Sequence, residues 1–586
     1  MCGVLAVISK SDFQLDLHTC RQALSTMSWR GPDHIFSEVW KDRVFIGQNI
    51  LALTGDTNVR EKSHTKSVSG RYTIAFNGEI YNFRELAQRW LPDQIELTKK
   101  TTDTEVLVNL HDFFPATEIP DLLDGMYAYT VFDEVENVLH IARDVQGEKS
   151  LFIYEDDQII AISSEISAIQ KIVPALTLDT QSLRDYFRTR HFMLFSRTAY
   201  RDIRQILPGS LEHLKIGTNG WSKSARRKLS DWISPLRIKD NSSRSIDSLA
   251  DELDALLIQV VKDMLPSSES YAAVVSGGVD SSLLAHYIVT YGQPDNLVAV
   301  NHIGKDFISS DLSDFEKILD RSIDVLQIGK AAYADEIVHC QETSKSPLHS
   351  HCLVAQAMMS AYVKSNGCKV LFVGDGGDEY FGGYDAYLKI SNGSGSYSPS
   401  PYLSCDTPEL NFISDDPSNI QHDLADAWSE AQQAYVSEKE PQNRIPLAMM
   451  YGDAAYQLPA VGLRSADLMS MKNSVETRCI FLSRKVATFA LNLPIQARLD
   501  HGGRPNLRTK VLLKHLFLRH YPESLLVKKQ GFAGFPNESA DYLGDLVDYT
   551  TFDMLGIRRP ASTSHLSRET LWKLANMEYF LRHGLG

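Results

Sequence analysis

Hydrophobic positions along this chain follow two rhythms in turn. Up to about residue 210 they form short β-type runs: residues 4–8 directly after Cys2, residues 72–76, and the alternating Tyr129, Val131, Val138 and Ile141. Period-two alternation and compact apolar runs predict strands. Thr102-Asp103-Thr104-Glu105 opens a helix with a capping residue at its start. From residue 246 the interval changes. Leu249, Leu253, Leu256, Leu257 and Val260 recur at helical spacing, which predicts a helix over Ile246–Met264 with one apolar face. Strand-like runs at 271–275, 297–300 and 369–373 then alternate with helical ones such as Leu283, Leu284, Ile288 and Val289. That order predicts an open parallel sheet with ligands at the strand carboxyl ends. Between the two regimes the chain is polar and irregular. The expected division is a first domain over 2–210, a linker over 211–245 and a second domain over 246–586. Residues 391–440, rich in Ser, Gly and Pro, read as a lid-like loop or a plain unstructured connection. The tail reads as helical.

Composition narrows the function classes. A chain of 586 residues has room for two to four domains, and 43% hydrophobic with 23% charged residues is ordinary for a soluble globular protein. The net charge of −15 argues against a phosphate-backbone binder, so no nucleic-acid partner is expected. No apolar run approaches 18 residues, and no basic start is followed by a long apolar stretch. No membrane span and no signal peptide are expected. Seven scattered cysteines without a CxxC pair read as reduced thiols, which points to the cytoplasm.

Three stretches carry chemistry. Val274–Ser282, VVSGGVDSS, is strand, glycine turn and helix start. Such a turn brings backbone N–H groups close to an anion. Ser hydroxyls add donors, and Asp280 would repel phosphate unless it held a cation, so it implies Mg²⁺. The turn lacks the Lys of the GxxxxGK[ST] phosphate loop. Gly374-Asp375-Gly376-Gly377-Asp378-Glu379 clusters three acids at a strand end, which is costly without a cation. Cys2 becomes N-terminal if Met1 is removed, and its own α-amine then serves as the base for its thiol.

These stretches resemble known families. SGGVDSS resembles the loop of the ATP-pyrophosphatases, and by that resemblance Val275, Ser276, Gly277, Gly278, Asp280, Ser281, Ser282 and Gly374 bind ATP. Cys2, the Arg30-Gly31-Pro32-Asp33 turn, Asn77-Gly78-Glu79 and Asp103 resemble the class II glutamine amidotransferase domain. GDGGDE, the block from Asp467 through Glu476 and Arg478, and Lys510 complete a resemblance to the glutamine-hydrolysing asparagine synthetases over about nine-tenths of the chain. The resemblance implies an N-terminal Ntn-hydrolase αββα glutaminase domain and a C-terminal α/β parallel-sheet domain of the ATP-pyrophosphatase type. It implies Cys2 as nucleophile, Asn77 and Gly78 as oxyanion hole, and Glu79, Asp103 and Arg30 as glutamine-binding residues. It implies Mg²⁺ on Asp280 and Asp378, Asp375 facing acceptor and incoming nitrogen, and Lys510 stabilising charge on an adenylate. The implied substrates are glutamine, ATP and a small carboxylate, aspartate by default, and the resemblance allows a homodimer.

Some positions depart from the family pattern. Gly47-Gln48-Asn49-Ile50-Leu51 has Ile50 where the family carries the Arg that pairs with the glutamine α-carboxylate. Arg60 or Arg71 substitutes for it, or glutamine binds weakly, or ammonia is the nitrogen donor. Leu468 replaces a cation, Ile480 a Pro and Ser483 an Asp, which leaves the acceptor open. Lys529-Gln530-Gly531-Phe532 fits the family's late turn. Two rival readings stand beside this one: a β-lactam-synthetase-like ligase using an amine within its substrate, against which Cys2 and Asp375 speak, and a non-catalytic regulator on the same fold.

Overall fold

A computed structural model describes residues 2–10, 13–54, 65–98, 100–188, 195–217, 220–267, 269–302, 312–350, 352–392, 410, 419–526, 549–559 and 566–583. The first half stacks two antiparallel sheets. One runs β2 (His34–Trp40), β3 (Val44–Ile50), β1 (Cys2–Ser9), β8 (Ile159–Ser163), β7 (Phe152–Glu155), β9 (Ile203–Gln205). The other runs β11 (Gly220–Lys223), β10 (Leu211–Lys215), β6 (Val138–Arg143), β5 (Gly125–Asp133), β4 (Tyr72–Ile80). Successive side chains of a strand point to opposite faces, and β1 shows what that requires here. Val4, Ala6 and Ile8 face the second sheet, packing with Ala75, Ala128 and Ile141. Leu5 and Val7 face outward onto Ala23, Leu24 and Met27, at and just beyond the helix Leu17–Ser25. Both faces are therefore apolar, which is why residues 4–8 read as an unbroken run. The second sheet is covered in the same way: Ile74 and Phe76 of β4 pack against Leu86, Val106 and Leu110 of the helices Phe83–Trp90 and Asp103–Leu110. The result is an αββα sandwich of the Ntn type with Cys2 at the start of a central strand.

Two sequence expectations change. Residues 211–215 and 220–223, read as connector, form β10 and β11 at one side of the second sheet, with Leu211 paired to Ala142 and Glu212 to Ile141. Their charged outer residues hide the strand pattern, as is common for an edge. Within 391–440, residues 393–409 and 411–418 lie outside the described residues, but a helix runs Asn419–Ala434. It buries Ile420, Leu424, Ala427 and Ala431, positions that recur at helical spacing.

The second half is built on a parallel sheet, β14 (Ile323–Ile328), β13 (Asn296–His302), β12 (Tyr271–Val274), β15 (Val370–Val373), β16 (Glu476–Cys479). The chain winds from β12 outward to β13 and β14, then returns to lay β15 on the other side of β12. The crevice at the carboxyl ends of β12 and β15 is thus a topological switch point, where open α/β sheets bind ligands. The helix Ile246–Met264 has the expected bounds and buries Leu249, Leu253, Leu257 and Val260. Its N-cap is Ser245, whose hydroxyl accepts from the Ser248 N–H at 3.2 Å. The tail contributes the helices Thr551–Leu555 and Arg568–His583. The turn at 529–532 lies outside the described residues.

Candidate active sites

The first site forms where β1 begins. Cys2 is buried, and its backbone nitrogen, the α-amine once Met1 is gone, donates to Asn77 Oδ1 at 3.0 Å. Asn77 sits within β4, opposite Ala128, so Asn77-Gly78 is strand and not the hairpin turn that the dipeptide usually marks. With Oδ1 fixed by Cys2, Asn77 Nδ2 is left buried and without a hydrogen-bond partner among the described residues. A buried donor left unpaired beside a thiol suits a developing oxyanion. Gly78 has φ +154°, and a Cβ there would stand 2.0 Å from the Met126 carbonyl oxygen, so no other residue fits. Burial holds the Cys2 thiol above its ordinary pKa, opposed by the nearby N-terminal charge and by hydrogen bonds with the Gln48 side chain and the Leu51 backbone.

Two acids line the same end. Asp103 begins its helix and accepts from the Ile80 N–H at 3.1 Å and the Thr104 N–H at 2.8 Å. Glu79 is buried next to it. Burial raises both carboxyls, most strongly Glu79, whose pKa is pushed up further by Asp103 and pulled down by Arg478. A pair of buried acids beside this thiol suits an ammonium ligand.

Arg30 stands at the seam between the halves. Its Nε donates to the Cys2 carbonyl at 3.0 Å, Nη1 to Glu165 at 2.5 Å, and Nη2 to both oxygens of Asp467 at 3.0 and 2.9 Å. Asp467 also receives Lys149 at 3.2 Å. Each nitrogen of the guanidinium is thus engaged by a protein acceptor, holding the backbone of Cys2 and tying it to the synthetase half. Arg71 is committed to Asp133, at 2.9 and 2.6 Å, and Arg60 lies outside the described residues. Tyr380 and Gln146 extend the seam, their side chains bonded at 2.6 Å.

The second site forms at the switch point. After β12 come Ser276, Gly277 and Gly278, and then the helix Val279–Tyr291. The Ser281 hydroxyl accepts from the Ser276 N–H at 3.0 Å and lies 2.8 Å from the Ser276 hydroxyl, which shapes the turn. The buried Ser282 hydroxyl has no partner among the described residues. After β15, Asp375 and Asp378 enter from the GDGGDE turn. Lys510, ahead of the helix Val511–His520, places Nζ on Asp280 and 2.7 Å from Asp378 Oδ1. Burial works against the charge of Lys510, but Asp280 and Asp378 overcome it and raise its pKa. Gly383 makes this approach feasible, since a Cβ there would lie 1.7 Å from Asp378 Oδ1. Burial, then Asp378 and Asp280, push Asp375 up to about 6.

These residues fit the groups that the resemblance implies. Glycines and the unpartnered Ser282 hydroxyl at the start of a 13-residue helix suit phosphate. Asp280 and Asp378 already share one cation, the Lys510 ammonium. Among the described residues no group of three or more His, Cys, Asp or Glu is arranged to hold a metal. Two carboxylates completed by phosphate oxygens and water are what Mg²⁺ ordinarily takes.

The departures in the third block are absorbed by the scaffold. Leu468 and Ile480 are buried in apolar clusters. Ser483 caps the helix Arg484–Leu491, accepting from the Val486 N–H at 3.2 Å, a task Asp and Ser share. Sequence reasoning missed Gln48, Glu165 and Lys149 as site neighbours, and it gave Arg478 no place near Cys2. No local signal links these positions: sheet pairing and packing within the first half bring Gln48 and Glu165 to the site, and the packing of the two halves brings Lys149 to Asp467 and Arg478 to Glu79.

Fold and geometry together define a class: an Ntn-type glutamine amidotransferase domain joined to an α/β synthetase domain. Residues 1–225 match the family model for the glutamine amidotransferase domain, and residues 252–582 match that for asparagine synthase. The chain belongs to the asparagine synthase family. It is similar to glutamine-hydrolyzing asparagine synthetase 3 of Bacillus subtilis, at 24% identity over 90% of this chain and 86% of that protein. A putative asparagine synthetase of Mycobacterium bovis is 24% identical over 98% of this chain and 96% of its own length. A putative one of Methanocaldococcus jannaschii is 24% identical over 75% and 68%. Among solved structures, the allosteric regulatory enzyme of purine biosynthesis aligns with 56% of this chain and 80% of its own at 15% identity and a TM-score of 0.29, too low to add to the fold described above. Among the described residues no helix is long and apolar enough to cross a membrane.

Proposed function

We propose that this protein is a glutamine-dependent, ATP-consuming amidotransferase that converts a small carboxylate, aspartate by default, into its amide. The Cys2 thiolate attacks the side-chain amide carbon of glutamine. Asn77 Nδ2 and the Gly78 N–H collect the charge on the oxygen. The C–N bond breaks, ammonia leaves with a proton relayed by the Cys2 α-amine, and water cleaves the thioester to glutamate. At the switch point an oxygen of the acceptor carboxylate attacks the α-phosphorus of ATP and pyrophosphate leaves. Mg²⁺ held by Asp280 and Asp378 would neutralise phosphate charge there. Ammonia attacks the activated acyl carbon, Asp375 takes its proton, and AMP departs as the acyl C–O bond breaks. Lys510 offsets the negative charge that develops on the adenylate.

The observation that carries this reading is the Lys510 ammonium clasped by Asp280 and Asp378 at the junction of β12 and β15. A buried cation bridging two acids beside a glycine turn at the switch point fits a phosphoryl site. The test is incubation with ATP, Mg²⁺, aspartate and ammonium, with AMP, ADP and pyrophosphate quantified. Aspartate-dependent AMP and pyrophosphate in equal amounts are expected. AMP formed with another carboxylate, but not with aspartate, would move the acceptor. No AMP with any carboxylate would remove the reading.

A further inference from the structure

A free amino acid brings a carboxylate as well as an ammonium, and burying that carboxylate needs a cation. The strand facing Cys2 supplies none: Ile50 of β3 lies directly opposite Cys2 in the register. Arg30 and Arg71 are engaged elsewhere, as described above. The one side-chain cation within ion-pair distance of Glu79 among the described residues comes from the other half of the molecule. Arg478, on β16, is buried and points at the glutaminase site. Its Nε donates to Glu476 Oε1 at 2.6 Å and its Nη1 to the Met264 carbonyl. Its Nη2 lies 3.4 Å from Glu79 Oε2 yet makes no hydrogen bond. The guanidinium is therefore anchored on one side, and on the other Nη2 sits in ion-pair contact with Glu79 with its hydrogen-bonding capacity unused. An ammonium held by Glu79 and Asp103 puts the α-carboxylate carbon two bonds away, within reach of a guanidinium that already touches Glu79.

We propose that Arg478 binds the α-carboxylate of glutamine and supplies the cation absent at Ile50, so that the glutamine site is completed across the domain seam. This rests on the reading that Cys2 hydrolyses glutamine. Arg478 pairs in β16 with Phe372 of β15, the strand that leads into the Asp375 loop, so glutamine binding and the synthetase site share one strand pair.

The test compares glutamine with glutaminamide, which has a neutral amide in place of the α-carboxylate, as substrates of the full chain, following ammonia release. The unsubstituted protein is expected to show a KM at least about ten-fold higher for glutaminamide, the scale of one charge-assisted contact. Arg478→Gln should raise the glutamine KM by a similar factor and leave glutaminamide nearly unchanged, and adding Ile50→Arg should restore the preference. Arg478→Lys, which keeps the buried charge if Gln does not fold, should lose part of the preference. Equal losses for both substrates, or full preference retained in Arg478→Lys and Arg478→Gln, would overturn the proposal. Failure of the unsubstituted protein to release ammonia from either substrate would overturn the glutaminase reading itself, and is seen before any variant is made.

Discussion

Asn77 shows how much one side chain decides. Its carbonyl is spent on the Cys2 nitrogen, and its amide N–H is left over for the reaction. Replacing it with Ala should lower kcat for glutamine hydrolysis by about 10²–10³-fold, the usual loss of one oxyanion donor, with KM little changed. Ammonium-dependent amide formation should be untouched. Glutamate release and amide formation measured in parallel check both halves of that expectation. The sequence marked Asn77 through its resemblance, while turn rules alone would have put the pair in a hairpin. The strand prevailed because Phe76 through Ile80 all pair with β5. Arg478 was legible as part of a motif but not as a neighbour of Glu79, since nothing local in either stretch encodes a contact between domains.

At the scale of elements, the seam between the halves is ionic where it is most buried. Arg30 and Asp467 are both nearly inaccessible, at 0% and 3% side-chain exposure. Removing one member leaves a buried charge uncompensated, so Asp467→Ala should cost about 3–5 kcal/mol. Adding Arg30→Met should cost less than the sum, because the two share one network. Denaturant titration of the singles and the double checks this. The helix Asp103–Leu110, whose C-cap His111 packs on Tyr72 and Tyr129 of the second sheet, carries a separate liability. Burial, then His140, hold the His111 pKa down to about 3 from 6.5. The unfolded chain therefore takes up that proton near pH 6.5 and the folded one only near pH 3. Stability present above pH 6.5 is lost as pH falls, by about 1.4 kcal/mol per unit for this one group. His111→Phe should flatten the curve between pH 6.5 and 5 in urea titrations. Parallel curves would contradict the assignment. The elements themselves were unevenly readable. The helix Ile246–Met264 announced itself because one apolar face repeats over five turns. β10 and the edge strand β11 did not, because segments with Glu212, His213, Lys215 and Lys223 resemble polar linker.

At the scale of the molecule, two incomplete sites face one reaction. Cys2 begins a strand of the sandwich, Lys510 and its two acids close the switch point of the parallel sheet, and Arg30, Asp467 and Arg478 join the halves. A split of this kind makes the nitrogen source separable from the ligase chemistry. Cys2→Ala should abolish amide formation from glutamine while keeping it with ammonium, read as amide product per AMP. The measurement that bears most directly on the whole account is amide-¹⁵N glutamine with ATP, Mg²⁺ and aspartate, followed by mass spectrometry. Labelled asparagine appearing together with AMP is the expected result, and unlabelled or absent asparagine at full glutamine consumption would contradict it.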